Sequence, residues 1–236
     1  MVAEQQAWLD VPYADKDAAK AAGAGWDPAA RAWYAGPRAD PAALARWAPL
    51  PVLLPGEDRG FGSGLFVDLV PASCWFTNVR TCIADADWDR LRRMVYGRAA
   101  QRCEACGRGP DRRDGPRLEA HERWDYDDSA GVQQLRRLIC LCSWCHAVTH
   151  FGLTAVRGRE DWALGHLQAV TGLDLEQAVA HVDAAFALWE RRSARAWALD
   201  LSMLTGAGIT LAVPPNASDR AGHAVRTAAA HRATGT

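Results

Sequence analysis

Apolar residues recur at helical spacing in three long segments, and these segments give the helices that the sequence predicts. The first predicted helix spans 86–102 and presents one apolar face, formed by Trp88, Leu91, Val95 and Ala99. Arg98 lies with other charged residues on the opposite face, which is interpreted as solvated. Two further amphipathic patterns predict helices over 160–170 and 175–192. Most helical residues are therefore expected in the second half of the chain.

The strand signals are shorter. Residues 118–122 alternate in polarity, residues 65–70 alternate weakly, and the run 197–204 is a third predicted strand. With predicted helices on either side of the segment 118–122 and a small αβ module at the N-terminus, we expect an α+β fold.

Composition divides the chain into four parts. Residues 1–48 hold a small αβ module, in which a strand, a helix and a second strand follow one another over 8–35. Residues 49–64 are rich in Pro and Gly and are predicted to be a linker. The main domain is expected over 65–212. Residues 213–236 contain almost no large apolar side chain, so we expect a disordered tail there.

Charge and hydropathy narrow the function classes. The formal net charge is −1, which argues against a protein with a global basic field for nucleic acid. Residues 80–159 nevertheless carry 15 arginines against 11 acids, a net of +4, and this is the only net-basic third. No apolar run approaches the roughly 20 residues of a membrane helix, and residues 1–10 show no signal-peptide pattern. We therefore expect a cytoplasmic protein with no membrane partner.

Six of the seven cysteines fall in this basic third, five of them between residues 103 and 145. Two C-x-x-C pairs, separated by 35 residues, are typical of a closed tetrahedral zinc site: Cys103, Cys106, Cys142 and Cys145. Such a site stabilises the fold and leaves no open position for catalysis. Cys140 is interpreted as a buried cysteine outside the site.

Three histidines suggest a second metal site. His146 and His150 lie one turn apart if a helix begins here, and His121 lies on the predicted strand 118–122. Three imidazoles with an open position are typical of a catalytic transition metal, for which Zn²⁺, Ni²⁺, Mn²⁺ or Fe²⁺ are suitable.

The order CEAC…LEAHE…CSWCHAVTH, over residues 103–151, resembles the HNH (ββα-metal) endonuclease superfamily, in its subgroup with two zinc knuckles. The resemblance implies a β-hairpin and a helix that hold one divalent ion, and an activated water that attacks a phosphodiester. His121 matches the hairpin ligand, and His146 and His150 match the helix ligands. The four knuckle cysteines match the structural zinc site.

The carboxylates next to His121 depart from the family pattern. Glu122 stands where the colicin-like motif has its general-base histidine, and it is the candidate base. In an alternative register His121 is the base and Ala120 occupies the ligand position, which would cripple the site. Glu119 shares a strand face with His121 and is either a fourth ligand or an exposed rim carboxylate.

Arginines are the candidate phosphate contacts. No Asn occurs between residues 121 and 150, where the family usually has one, and the stretch 133–142 offers Arg136 or Arg137 instead. Arg137 is a candidate electrostatic clamp, and Arg123 and Arg136 are candidate substrate-binding residues. The competing interpretation is that these arginines pair with nearby aspartates.

The N-terminal pattern VPYADKDAAKAAGAGWD…RAWYAG resembles a short, uncharacterised module found beside primase-type and other DNA-processing domains. The resemblance implies an association with nucleic-acid enzymes. The alternative is a structural appendage whose Trp8, Trp26 and Trp33 form a small core.

Three functions remain open at this point. The first is a metal-dependent HNH-type endonuclease that cleaves DNA. The second is a metalloenzyme that uses this scaffold on a small molecule, and the third is a zinc-stabilised adaptor that binds DNA or a protein without catalysis. The oligomeric state is not indicated by the sequence.

Overall fold

The computed structural model describes residues 7–75, 78–111, 113 and 115–212, and the tail predicted over 213–236 lies outside them. The described residues form a mixed α+β structure with two three-stranded sheets. The predicted α+β class is therefore confirmed.

The N-terminal module is an antiparallel sheet accompanied by short helices. Its strands lie in the order β1-β3-β2, and its elements are β1 (Trp8–Leu9), α1 (Lys16–Ala21), β2 (Ala24–Asp27), β3 (Ala32–Ala35) and α2 (Pro41–Leu44). Asp40 caps α2, since its carboxylate accepts a hydrogen bond from Ala42 N at 2.9 Å. Gly25 is required in β2 because the Tyr34 ring lies 2.4 Å from the position of a Cβ.

The buried centre of this module differs from the predicted tryptophan core. Ala19, Leu44 and Trp47 are buried together, whereas Trp8 and Trp26 are 41% and 47% exposed. The predicted core was wrong because Trp47, contributed by a turn after α2, fills the space against α1. Two large indole surfaces are consequently left at the protein surface.

A long antiparallel hairpin forms the centre of the main body. It consists of β4 (Leu118–Asp127) and β5 (Val132–Cys142), with an irregularity in register between Arg123 and Trp124. A short strand, β6 (Ala198–Asp200), pairs with β5 in parallel.

Helices cover both faces of this hairpin. In chain order they are α3 (Val79–Cys82), α4 (Asp85–Arg98), α5 (Ser143–Thr149), α6 (Phe151–Val156), α7 (Glu160–Thr171), α8 (Leu175–Ser193) and α9 (Ser202–Thr205). Because side chains of β5 alternate, Leu138 and Cys140 pack with residues of α4 on one face. Ile139 and Leu141 pack with residues of α5, α7 and α8 on the other.

Three predicted elements differ from the structure. Helix α4 ends at Arg98 rather than at residue 102, because Ala100 and Gln101 adopt φ angles of 50° and 56°. Residues 65–70 form no strand, and Asp68 N donates to the carbonyl of Thr149 instead. Of the run 197–204 only β6 is extended, and α9 follows it.

The segment predicted as a linker over 49–64 is packed against the main body. Leu54 is 1% exposed, and the Glu57 carboxylate is completely buried against the Arg98 guanidinium at 2.6 Å. Arg98, which the helical pattern placed on a solvated face, is therefore an interior residue.

Candidate metal centres

Four cysteine side chains converge where the segment 103–106 meets the junction of β5 and α5. The Sγ atoms of Cys103, Cys106, Cys142 and Cys145 all lie within 4.8 Å of one another, and the Cys106–Cys142 sulfur distance is 3.7 Å. A tetrahedral Zn²⁺ with Zn–S bonds of about 2.3 Å separates its sulfurs by about 3.8 Å, whereas the sulfurs of a disulfide are about 2.05 Å apart. The four cysteines could therefore bind the predicted structural zinc.

The charge balance of these thiols also suits a cation. Hydrogen bonds from Cys142 and Cys145 lower the pKa of Cys103, while the hydrogen bond to Cys103 raises the pKa of Cys142 to about 11 and also raises that of Cys145. Only one of these three thiols therefore ionises readily by itself. A divalent cation would allow all of them to bind as thiolates.

His166 is a neighbour of this cluster that sequence analysis missed. Its Nε2 lies 3.4 Å from Cys145 Sγ, and its ring stacks on Trp162 with the centroids 5.7 Å apart. The contact joins α7 to α5 across 21 residues, so no local pattern could have identified it. An imidazole at this distance can donate to a zinc thiolate.

The three predicted histidine ligands do converge. His121 lies on β4, His146 on α5 and His150 directly after α5, and one ring nitrogen of each lies within 4.8 Å of the others. The ring centroids are 4.5 to 5.1 Å apart. His121 of β4 therefore lies beside His146 and His150, which are one helical turn apart, as the spacing predicts.

Burial keeps these three imidazoles uncharged, which is the form that binds a metal cation. His121 is 4% exposed, and neither of its ring nitrogens has a hydrogen-bond partner among the described residues. Desolvation lowers the pKa of His121 well below its usual value and lowers those of His146 and His150 to about 4 and about 3. All three rings are therefore neutral at pH 7 and offer lone pairs, so the donor set fits a transition metal.

Glu119 is the carboxylate that meets the histidines. Its Oε2 lies 3.0 Å from Nδ1 of His146, which leaves Nε2 of that ring free. A carboxylate that accepts from the second nitrogen of a metal-binding histidine fixes the tautomer and the ring orientation. Glu119 is thus placed to orient His146. This position differs from both sequence alternatives, a fourth metal ligand and an exposed rim carboxylate.

Glu122, the candidate base, is not brought to the histidines. Neighbouring residues of a strand point to opposite faces, and Glu122 lies between His121 and Arg123. Its carboxylate accepts a hydrogen bond from Val79 N at 3.0 Å, at the start of α3. Glu122 therefore lies on the strand face opposite His121, and its role as general base, which the family position suggested, stays a prediction.

Two of the three candidate arginines are committed elsewhere. Arg137 donates to Glu104 at 3.0 Å and to the carbonyl of Phe61 at 3.1 Å, so it holds the segment 103–106 against β5. Arg136 lies 3.9 Å from Asp58 and is 34% exposed, which resembles an ordinary surface pair.

Arg123 is different because it is buried and incompletely paired. Its side chain is 0% exposed, its contact with Asp68 is 3.5 Å long, and its guanidinium lies 4.0 Å above the Phe66 ring. After burial, its positive charge contributes to the lowered pKa of each of the three histidines. Of the three candidates, Arg123 is the one whose charge acts on the histidine site.

Comparisons with known proteins concern the N-terminal module. Residues 6–49 match the family described as Domain of unknown function (DUF5710). Over 42 residues this DUF5710 region is 64% identical to a DNA primase TraC of Escherichia coli, which covers 18% of this chain and 3% of the primase. A second DNA primase TraC of Escherichia coli is 53% identical over 47 residues, 20% of this chain and 4% of that protein.

The chain therefore spans only a few per cent of the length of these relatives, and the predicted primase-associated module is confirmed in the DUF5710 region. No solved structure matches the chain. In the part of the chain that the structure describes, none of the helices has the length and apolar composition needed to cross a bilayer.

Proposed function

We propose that this protein is a metal-dependent endonuclease of the HNH type that hydrolyses DNA phosphodiester bonds. The observation that carries the proposal is the convergence of His121, His146 and His150 on a β-hairpin and the helix that follows it. The ring nitrogens of His121 are buried and have no hydrogen-bond partner among the described residues, which supports a metal ligand rather than a packing residue. The four cysteines would hold a separate structural zinc close to this centre.

A divalent ion bound by the three histidines would polarise a phosphodiester and make an attacking water more acidic. The side chains of His146 and Glu119 are 26% and 40% exposed, so substrate and water can approach from their side. Glu119 would orient His146, and the buried Arg123 would add positive charge near the phosphate. The metal ion and Arg123 would therefore supply the positive charge near the phosphate, a role for which the sequence offered Arg123, Arg136 and Arg137.

DNA is the substrate class that fits the remaining observations. Residues 80–159 are net basic, and the DUF5710 region is similar to parts of proteins named DNA primase. Arg136 and Arg137 lie against acidic side chains, so we expect weak and salt-sensitive binding of duplex DNA by the main body.

Plasmid nicking tests this function. We expect relaxation of supercoiled plasmid in a panel of Mg²⁺, Mn²⁺, Co²⁺, Ni²⁺ and Zn²⁺, and complete loss of nicking in His146→Ala. His181→Gln is the matched control, because that histidine lies on α8 and its ring accepts from Val67 N at 3.0 Å. Absence of nicking with a fully occupied histidine site would overturn the nuclease and favour a small-molecule substrate. Equal activity of His146→Ala and the wild type would remove the histidines from any catalytic role.

Two isosteric substitutions separate the carboxylates. Glu119→Gln is expected to lower the nicking rate about 10- to 100-fold, because loss of an orienting carboxylate typically has that effect on metal affinity or activity. Glu122→Gln keeps an acceptor for Val79 N and is expected to nick at nearly the wild-type rate. The reverse order of effects, measured at saturating metal, would restore Glu122 as the base.

A further inference from the structure

A cleft lined by aromatic and basic side chains lies between the N-terminal sheet, α1 and α4. Its volume is about 600 Å³, and its lining includes Tyr13, Trp26, Trp33 and Arg93. Tyr13 is 83% exposed and Trp26 is 47% exposed. Trp26 and Trp33 are cross-strand partners whose rings meet edge to face at 5.4 Å. The rings are held in place by the sheet but remain open to a ligand.

Cations surround these rings. Lys16 and Lys20, the only lysines of the chain, lie one turn apart on α1 and both line the cleft. Lys16 Nζ lies 4.5 Å above the Tyr13 ring, and Lys20 Nζ lies 6.0 Å above the Trp33 ring.

The lining as a whole is positively charged. Arg31 and Arg93 bring its cations to four, against the single carboxylate of Asp10, which pairs with Arg93 at 2.8 Å. The carboxylate of Asp17, which is 79% exposed, lies 3.6 Å from Lys16 but does not line the cleft. An anionic ligand is therefore favoured over a neutral or cationic one.

We propose that this cleft binds single-stranded DNA, independently of whether the histidine centre cleaves a substrate. Exposed aromatic faces stack on bases, and lysines beside them contact the connecting phosphates. A duplex keeps its bases stacked internally and would leave Tyr13 and Trp26 unused. An acidic peptide would satisfy the lysines but would have no flat surface for the two rings.

Fluorescence anisotropy with a labelled 20-nucleotide oligo(dT) tests the proposal, using the full chain without added Mg²⁺ or Mn²⁺. Trp26→Ala is expected to weaken binding about 5- to 100-fold, the range for one base–aromatic stack, and to leave the salt dependence unchanged. The double variant Lys16→Gln/Lys20→Gln is expected to make the slope of log K against log salt less negative by about 1.4. Each phosphate contact on a single strand contributes about −0.7 to this slope.

The same sheet provides a matched control. Trp8 is 41% exposed, but its register partner is Tyr34, so it lies on the opposite face from Trp26 and Trp33. Trp8→Ala is expected to bind like the wild type, and Trp26→Phe, which keeps a ring, is expected to retain most of the affinity. Circular dichroism of each variant verifies that the chain is folded.

Four results would overturn the inference. They are undetectable binding by the wild type, equal losses in Trp8→Ala and Trp26→Ala, tighter binding of a 20-base-pair duplex, and equal competition by poly-glutamate. The last result would identify the cleft as a site for acidic peptides. Binding without plasmid nicking would support this inference while the nuclease proposal fails, so the two failures are distinguishable.

Discussion

Removal of metal from the four cysteines is expected to abolish cooperative folding of the main body. Cys103, Cys142 and Cys145 belong to the same buried cluster as Ile139 and Leu141, so the site lies within the core. Structural zinc binds with an apparent free energy of about 10–16 kcal/mol in zinc-finger peptides, which is comparable to the total stability of about 5–15 kcal/mol of a typical domain. Loss of that metal leaves little net stability.

Thermal unfolding by circular dichroism tests this expectation with the double variant Cys142→Ser/Cys145→Ser and with wild type treated with a strong chelator. The control is Cys140→Ala, which removes a buried thiol of the same strand outside the cluster. We expect no cooperative transition in the double variant and a cooperative one in the control. A cooperative transition at nearly the same temperature in both would show that the cysteines are ordinary core residues.

Substitution of Glu57 by alanine is expected to lower the free energy of unfolding by about 3–5 kcal/mol, the usual result when one partner of a buried ion pair is removed. Arg98 would keep a positive charge in an interior position, where its side chain is 1% exposed. Two backbone donors, Leu54 N and Leu138 N, would also lose the carboxylate that accepts their hydrogen bonds at 3.2 and 3.0 Å.

Urea unfolding compares this variant with Asp58→Ala. Asp58 is the next residue, is 50% exposed, lies 3.9 Å from Arg136 and accepts hydrogen bonds from Gly60 N and Phe61 N in an exposed turn, so its removal is expected to cost about 1 kcal/mol. The double variant Glu57→Met/Arg98→Met should recover the part of the lost stability that comes from the unpaired charge, while Leu54 N and Leu138 N still lack their acceptor. A Glu57→Ala effect as small as that of Asp58→Ala would contradict the assigned role of this pair.

The convergence of the four cysteines and of the three histidines could be predicted because it depends on local spacing. The spacing within each C-x-x-C pair and between the two histidines fixes which side chains lie next to each other. His121 joins the two histidines because β4 lies beside the start of α5. The position of Glu122 is the opposite case. The base role of Glu122 rests on the family motif, whereas strand alternation places Glu119, and not Glu122, on the face of His121.

Contacts that join distant segments could not be predicted. Arg98 seemed to belong to a solvated helix face because its partner, Glu57, lies 41 residues earlier in a stretch with the composition of a linker. Arg137 was a candidate phosphate contact because no local pattern indicates that Glu104, 33 residues earlier, accepts its hydrogen bond. Composition and periodicity describe one segment at a time, whereas buried ion pairs depend on how segments pack.

The occupancy of the histidine centre is the most direct test of the account. Equilibrium dialysis against a fixed concentration of free Zn²⁺, followed by elemental analysis, counts bound metal without losing a weakly held ion. The account predicts two ions per chain for the wild type and for His181→Gln, and one for His146→Ala and for His121→Ala. One ion per chain in all four proteins would contradict the assignment of the three histidines to a metal.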